Sequence, residues 1–223
     1  MTRENAASAA AQPAGLAPEN AELLARYADH LQRSPLPGHK ALRPRARLHY
    51  LRAVEAWPSA RDCVIALLPL YAGTGIAEIR ALDVAGVRLG ARKGEIHLVG
   101  KGGKSRTVAV HPELGEALAA WLEERPAMPG AGPAALFPSS RGTRMTTAAI
   151  AGVITAITTA AGMDHVTGHV LRHTFGTELI RRGADIVTVA ELMDHASREP
   201  TRLYARPSAA DMQRAIDLLT ADE

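Results

Sequence analysis

The sequence predicts a mainly α (α+β) fold, a helical domain built around one small three-stranded antiparallel sheet. Apolar residues recur at helical spacing along most of the chain, as Val170, Leu171, Phe175, Leu179 and Ile180 do in and just after "GHVLRHTFGTEL". Three short strand candidates, Val87–Leu89, Glu95–Gly100 and Lys104–Val110, sit together mid-chain. The last two flank Gly102-Gly103, a dipeptide that closes two-residue hairpins. With 223 residues, 47% of them hydrophobic, the chain can bury one sizeable core.

The elements follow in order. Residues 1 to about 18 read as a disordered tail, because "MTRENAASAAAQPAG" is Ala-rich but polar and lacks the apolar stretch of a secretory leader. Pro18–Arg33 reads as a helix with Leu23, Leu24, Tyr27 and Leu31 on one face, and "SPLPGHKALRP" then breaks it. Ala46–Trp57 is a second helix, and Ser59–Tyr71 a third, opened by the Ser59–Asp62 capping pair. A short helix covers roughly Ile76–Leu82 before the strands. After them come helices at Pro112–Glu124, Thr146–Ala161, Thr167–Arg182, Asp185–Met193 and Ser208–Leu219. The Pro/Gly-rich "PAMPGAGPAALFP" is a surface loop that ends in a short apolar strand.

Composition removes several classes. No run of about 18 apolar residues exists, so no membrane span is expected. The single cysteine, Cys63, cannot form an internal disulfide, and its apolar neighbours Val64, Ile65, Leu67 and Leu68 mark it as a buried bystander. A reducing cytoplasm is the expected compartment. Net charge is only +3, yet Gly38–Arg61 holds six basic residues (Lys40, Arg43, Arg45, Arg47, Arg52, Arg61) against Glu55. Such a stripe is either a solvated helix face or a phosphate-contacting surface.

The chemistry concentrates late in the chain. His169 and Arg172, three apart, share one face of the helix that Thr167 can cap. A guanidinium fork, an imidazole and outward-pointing N–H groups at a helix start make an anion site. "ELMDHASREPTRLYAR" adds His195 and, nine residues later, Tyr204. His165, His169 and His173 recur every four residues beside Asp164, but Gly168 and the Thr167 cap place His165 ahead of the helix. No Glu follows as in a zinc-protease motif, so no metal and no other cofactor is expected.

A hairpin lysine, then His-x-x-Arg at a helix start, then a second His and a Tyr nine residues on resembles the tyrosine recombinase (phage integrase) family. The matching blocks are "GKGGKSRTVAV", "HVLRHTFGTEL" with Gly183 after it, and "VAELMDHASREPTRLY". The resemblance spans about Ser59 to Leu219. It implies the family's helical catalytic domain, from about residue 58 to 223, with a small three-stranded antiparallel sheet. It also implies double-stranded DNA as substrate and a homo-oligomer, dimer or tetramer, on that DNA. The role implied is site-specific recombination or integration in a mobile element. Tyr204 would attack a DNA phosphate and form a 3′-phosphotyrosyl link. Arg172, His169 and His195 would stabilise the developing charge, and Lys101 would protonate the leaving 5′ oxygen, with Lys104 as a substitute across the turn. Lys40, Arg43, Arg45, Arg47, Lys104 and Arg106 would contact the DNA backbone. These residues should share one basic pocket, with Lys101 leaning over it. The family's last helix, here Ser208–Leu219, docks on a neighbouring protomer, which leaves Ile216, Leu218 and Leu219 as an exposed apolar strip in one chain.

The sequence departs from the family in three places. In "YAGTGIAEIRAL" the family's T-G-x-R-x-x-E-L-x-x-L block aligns through Glu78 and Leu82, which puts Gly75 where the family has a second phosphate-clamping arginine. A shifted register would use Arg80 instead, five residues along and about 140° round the helix. Residues 1–57 read as a tail plus a truncated remnant of the family's helical DNA-clamping domain. Asp194 stands where a glycine is usual before the second His. These departures favour impaired cleavage or, as the alternative, a catalytically defective DNA-binding protein of recombinase descent.

Overall fold

The computed structural model describes residues 41–90, 93–127, 134–193 and 209–220. The expected helix at Pro18–Arg33 lies outside them. The described helices are α1 (Pro44–Glu55), α2 (Ala60–Ala72), α3 (Ile76–Ala81), α4 (Pro112–Glu124), α5 (Thr147–Ala160), α6 (Gly168–Arg181), α7 (Ile186–Leu192) and α8 (Ala209–Asp217). Between α3 and α4 run β1 (Val87–Leu89), β2 (Gly94–Val99) and β3 (Ser105–Ala109), antiparallel in the order β1-β2-β3.

Helix α2 is the axis of the fold. Nine consecutive residues, Val64 to Ala72, are buried, and α4, α5 and α6 all pack against it. A helix apolar all round belongs at the centre of a core. Ser59 caps it by accepting from Asp62 N, as the sequence implies. Tyr50 of α1 reaches in and donates to Ala66 O at 2.9 Å. Cys63 is half-buried, its thiol directed at Val54 O. Burial, with Asp62 nearby, pushes that thiol up, so it is no nucleophile.

The sheet covers one side with its inward residues Ile96, Leu98 and Val108. Val99 pairs with Ser105, so the turn holds residues 100–104 rather than a bare Gly-Gly loop. Lys101–Gly103 forms a 3-10 turn in which Gly102 (φ 75°) and Gly103 (φ 74°) are both left-handed. The 3-10 turn that begins at Lys101 widens the loop, its two glycines supply the left-handed backbone, and Gly100 N closes it by donating to Lys104 O at 2.7 Å.

The largest correction concerns the C-terminal helix. Its apolar residues are not an exposed strip: Ile216 is 1% and Leu219 5% exposed. Helix α8 packs on α7 and β3 of its own chain, and the 3-10 turn Leu218–Thr220 meets α6. Arg182, held by Glu178 at 2.7 Å, donates to Leu218 O at 2.5 Å and anchors that turn. Nearby, His111 stacks on Tyr71 with ring centroids 4.0 Å apart, and Tyr71 donates to Glu113 at 2.6 Å. Neither ring nitrogen of His111 has a hydrogen-bond partner; the Leu219 backbone approaches without meeting hydrogen-bond geometry.

Candidate active site

The site begins at the start of α6. Thr167 accepts from Val170 N and caps the helix, which leaves His169 exposed and Arg172 half-buried on the same side of its first turns. A Cβ on Gly168 would fall 2.7 Å from Ile76 Cδ1. Glycine there lets the start of α6 lie directly against the start of α3, which carries Glu78.

Glu78 is the hub. Its carboxylate accepts from Gly75 N at 2.7 Å and from Arg172 Nη1 at 2.9 Å, both on Oε2. Arg106, from the inward face of β3, grips the same carboxylate with both ends of its fork, Nη1 on Oε1 and Nη2 on Oε2. Both arginines then reach the end of α7. Arg106 Nε donates to Leu192 O at 2.9 Å, and Arg172 Nη2 donates to Met193 O. These are carbonyls at the last turn of a helix, where intrahelical partners run out and negative dipole accumulates. Met193 can approach because Gly176 has no side chain; a Cβ there would fall 2.5 Å from Met193 Sδ.

Burial by itself would raise the Glu78 carboxyl. The Arg106 bonds and charge, the Gly75 N–H and Arg172 outweigh it and hold the group below its ordinary range. It is therefore ionised at neutral pH. Glu78, Arg106 and Arg172 together carry one net positive charge, and the Arg172 guanidinium is fixed before any ligand arrives. A preorganised cation at an exposed imidazole suits an oxyanion such as a phosphodiester.

At Gly75, the N-cap of α3, a Cβ would sit 3.4 Å from Arg172 Nη1 and 3.5 Å from Glu78 Oε2. The position aligned with the family's second arginine thus borders the Arg172 guanidinium. Arg80 is exposed, and its carbonyl accepts from Arg144 at 2.9 Å. His195, Tyr204 and Lys40 lie outside the described residues. The Lys101 backbone forms the hairpin's 3-10 turn, but its side chain falls outside the description. Arg43, Arg45 and Lys104 are exposed. Arg47 instead lies over the Tyr71 ring at 5.7 Å, and Arg106 turns inward to Glu78. Among the described residues no cluster of three or more His, Cys, Asp or Glu could hold a metal ion, and no described helix is long and apolar enough to cross a membrane.

The sequence alone undervalued Glu78, which served as an alignment marker, and Gly176, whose place inside a helix signals a close neighbour. Neither says by itself that two arginines converge on one carboxylate.

Residues 48–211 match the phage integrase family. A tyrosine recombinase XerC from Chromohalobacter salexigens is 32% identical over 226 residues, covering 91% of this chain and 74% of that protein. The XerC of Corynebacterium glutamicum is 32% identical over 70% of this chain. The chain spans about half the length of that relative, and likewise of the XerC proteins of Pelobacter propionicus and Corynebacterium efficiens. Among solved structures, a XerH site-specific recombinase bound to its difH substrate in a pre-cleavage complex superposes with a TM-score of 0.64 at 26% identity, covering 76% of this chain and 50% of that one. An integrase from mycobacterium phage Brujita gives 0.63 at 26%, covering 81% and 58%. With its hairpin, its His-x-x-Arg helix start and these likenesses, the chain belongs to the phage integrase family of tyrosine recombinases.

Proposed function

We propose that this chain cleaves and rejoins double-stranded DNA through a 3′-phosphotyrosyl intermediate on Tyr204, as a site-specific recombinase of a mobile element acting in the cytoplasm. The observation that carries the reading is the Arg172 guanidinium, oriented by Glu78 beside exposed His169 and tied to Met193, two residues before His195. The Tyr204 hydroxyl attacks the scissile phosphorus and loses its proton to solvent, the P–O5′ bond breaks, and the 5′ oxygen leaves with a proton from Lys101. A phenol with pKa near 10 is a poor nucleophile at neutral pH unless the developing charge is stabilised. Arg172, His169 and His195 supply donors to the non-bridging oxygens. The bond energy stays in the tyrosyl ester, so rejoining needs no cofactor. Assembly as a homo-oligomer on DNA belongs to the same reading. The XerH relative's difH-bound pre-cleavage complex supports the DNA-binding part of it.

One observation favours a second reading, a DNA-binding member that cleaves poorly or not at all. Gly75 places only backbone beside Arg172 where the family carries a second cation. A nicked duplex that traps the cleaved intermediate separates the two. A covalent protein–DNA adduct that Tyr204→Phe abolishes supports the first reading; binding without any adduct supports the second.

A further inference from the structure

Arg106 is bonded within the protein. Its side chain is 12% exposed, with Nη1 and Nη2 on the two oxygens of Glu78 and Nε on Leu192 O. Leu192 and Met193 are 0% and 2% exposed, so their terminal carbonyls need donors from the protein. Arg106 supplies one and Arg172 the other. Both guanidiniums are fixed by the same carboxylate, which rises from α3. The result is a closed circuit through β3, α3, α6 and the end of α7. On one side it touches the strand that follows the Lys101 turn, and on the other the backbone that enters the segment with His195 and Tyr204.

We propose that Arg106 is a positioning residue that sets the end of α7, and with it the take-off point of the His195–Tyr204 segment, relative to Arg172. The planar fork is what the task needs. Three N–H groups in one rigid plane meet a carboxylate and a carbonyl at once, which a lysine's single ammonium on a flexible stem does not reproduce. Glu78 accepts Arg106 and Arg172 together, so loosening one frees the carboxylate to pull on the other. The consequence for catalysis rests on the cleavage reading above; the consequence for the end of α7 does not.

The test compares Arg106→Lys and Arg106→Gln with the unchanged full chain in three measurements. Without DNA, hydrogen exchange should quicken at least about tenfold at the amides ending α7, with the α2 core amides unmoved. On DNA, the single-turnover rate of adduct formation at saturating protein should fall at least about tenfold in both variants. The half-saturating concentration and the salt slope of binding should stay as they are. Rates and exchange unchanged in Arg106→Lys would overturn the proposal, because charge alone would then suffice. A salt slope lower by about one with an unchanged saturated rate would overturn it too, making Arg106 a phosphate contact. Exchange that quickens evenly across the core would also overturn it, as a general loss of stability. If the unchanged chain forms no adduct, the cleavage reading fails. The exchange pattern still decides for or against the positioning of α7.

Discussion

Replacing Gly75 with arginine should accelerate DNA cleavage by about a hundredfold or more. Gly75 has φ −85° and ψ 157°, a conformation open to any residue, so the substitution brings no backbone strain. The new Cβ would lie 3.4 Å from Arg172 Nη1 and 3.5 Å from Glu78 Oε2, ordinary van der Waals contacts. The added cation is repelled by Arg172 and attracted by Glu78. At about 6 Å and an effective dielectric near 20, these two interactions are each worth about 3 kcal/mol and oppose one another, which leaves the Arg106 charge on Glu78 as a net repulsion in the resting enzyme. In the transition state the extra phosphorane charge faces the new guanidinium with no such offset. One preorganised donor is worth about 2.7–4 kcal/mol, or about 10²–10³ in rate. The assay is the single-turnover rate of adduct formation on a nicked cognate duplex at saturating protein, with DNA affinity measured in parallel and changing by less than about tenfold. No gain from Gly75→Arg would refute the reasoning. If Arg80→Ala also abolished cleavage, the exposed Arg80 would be the clamp and the alignment through Glu78 would be wrong.

Three further outcomes follow from particular contacts. Arg45 is exposed and Arg47 covers Tyr71, so Arg45→Ser should lower the salt slope of DNA binding by about one, while Arg47→Ser should act mainly on thermal stability. For His111, burial first, together with the Arg47 and Arg182 charges, pushes the imidazole down to about 4 against the raising influence of Glu113. The unfolded chain takes up that proton near pH 6.5 and the folded one only near 4, so stability should fall across that window, by at most about 3 kcal/mol. His111→Phe should flatten this part of the acid limb in urea titrations. Gly176→Ala should lower the melting temperature by a few degrees, because about 1–3 kcal/mol of overpacking against Met193 exceeds the gain in helix propensity.

The fold was legible where local rules decide it. The Ser59 and Thr167 caps act as their sequence context implies, and the three strands fall within a residue or so of their expected bounds. The hairpin turn was read one step too tight, since Gly-Gly signals left-handed backbone but not how many flanking residues stay unpaired. The direction in which the last helix packs was not legible at all. Ile216 and Leu219 make an apolar stripe whatever covers it, and only the Arg182 anchor and the surfaces of α7 and β3 select this chain's own core. Among the site residues, His169 and Arg172 stood out because polar groups crowd an otherwise apolar helix start. Arg106 read as a DNA contact, and its bond to Glu78 was not legible because strand alternation depends on register; its inward face follows from its pairing opposite Leu98.

The central claim is that Tyr204 becomes linked to DNA, and one measurement tests it most directly. The purified chain is incubated with a nicked attachment-type duplex, denatured, digested with protease and searched for the peptide joined to a 3′ phosphate. The account predicts a DNA-linked peptide carrying Tyr204, lost in Tyr204→Phe and more abundant in Gly75→Arg. A linkage on another residue, or none in either the unchanged chain or Gly75→Arg despite salt-sensitive binding to the duplex, would contradict it.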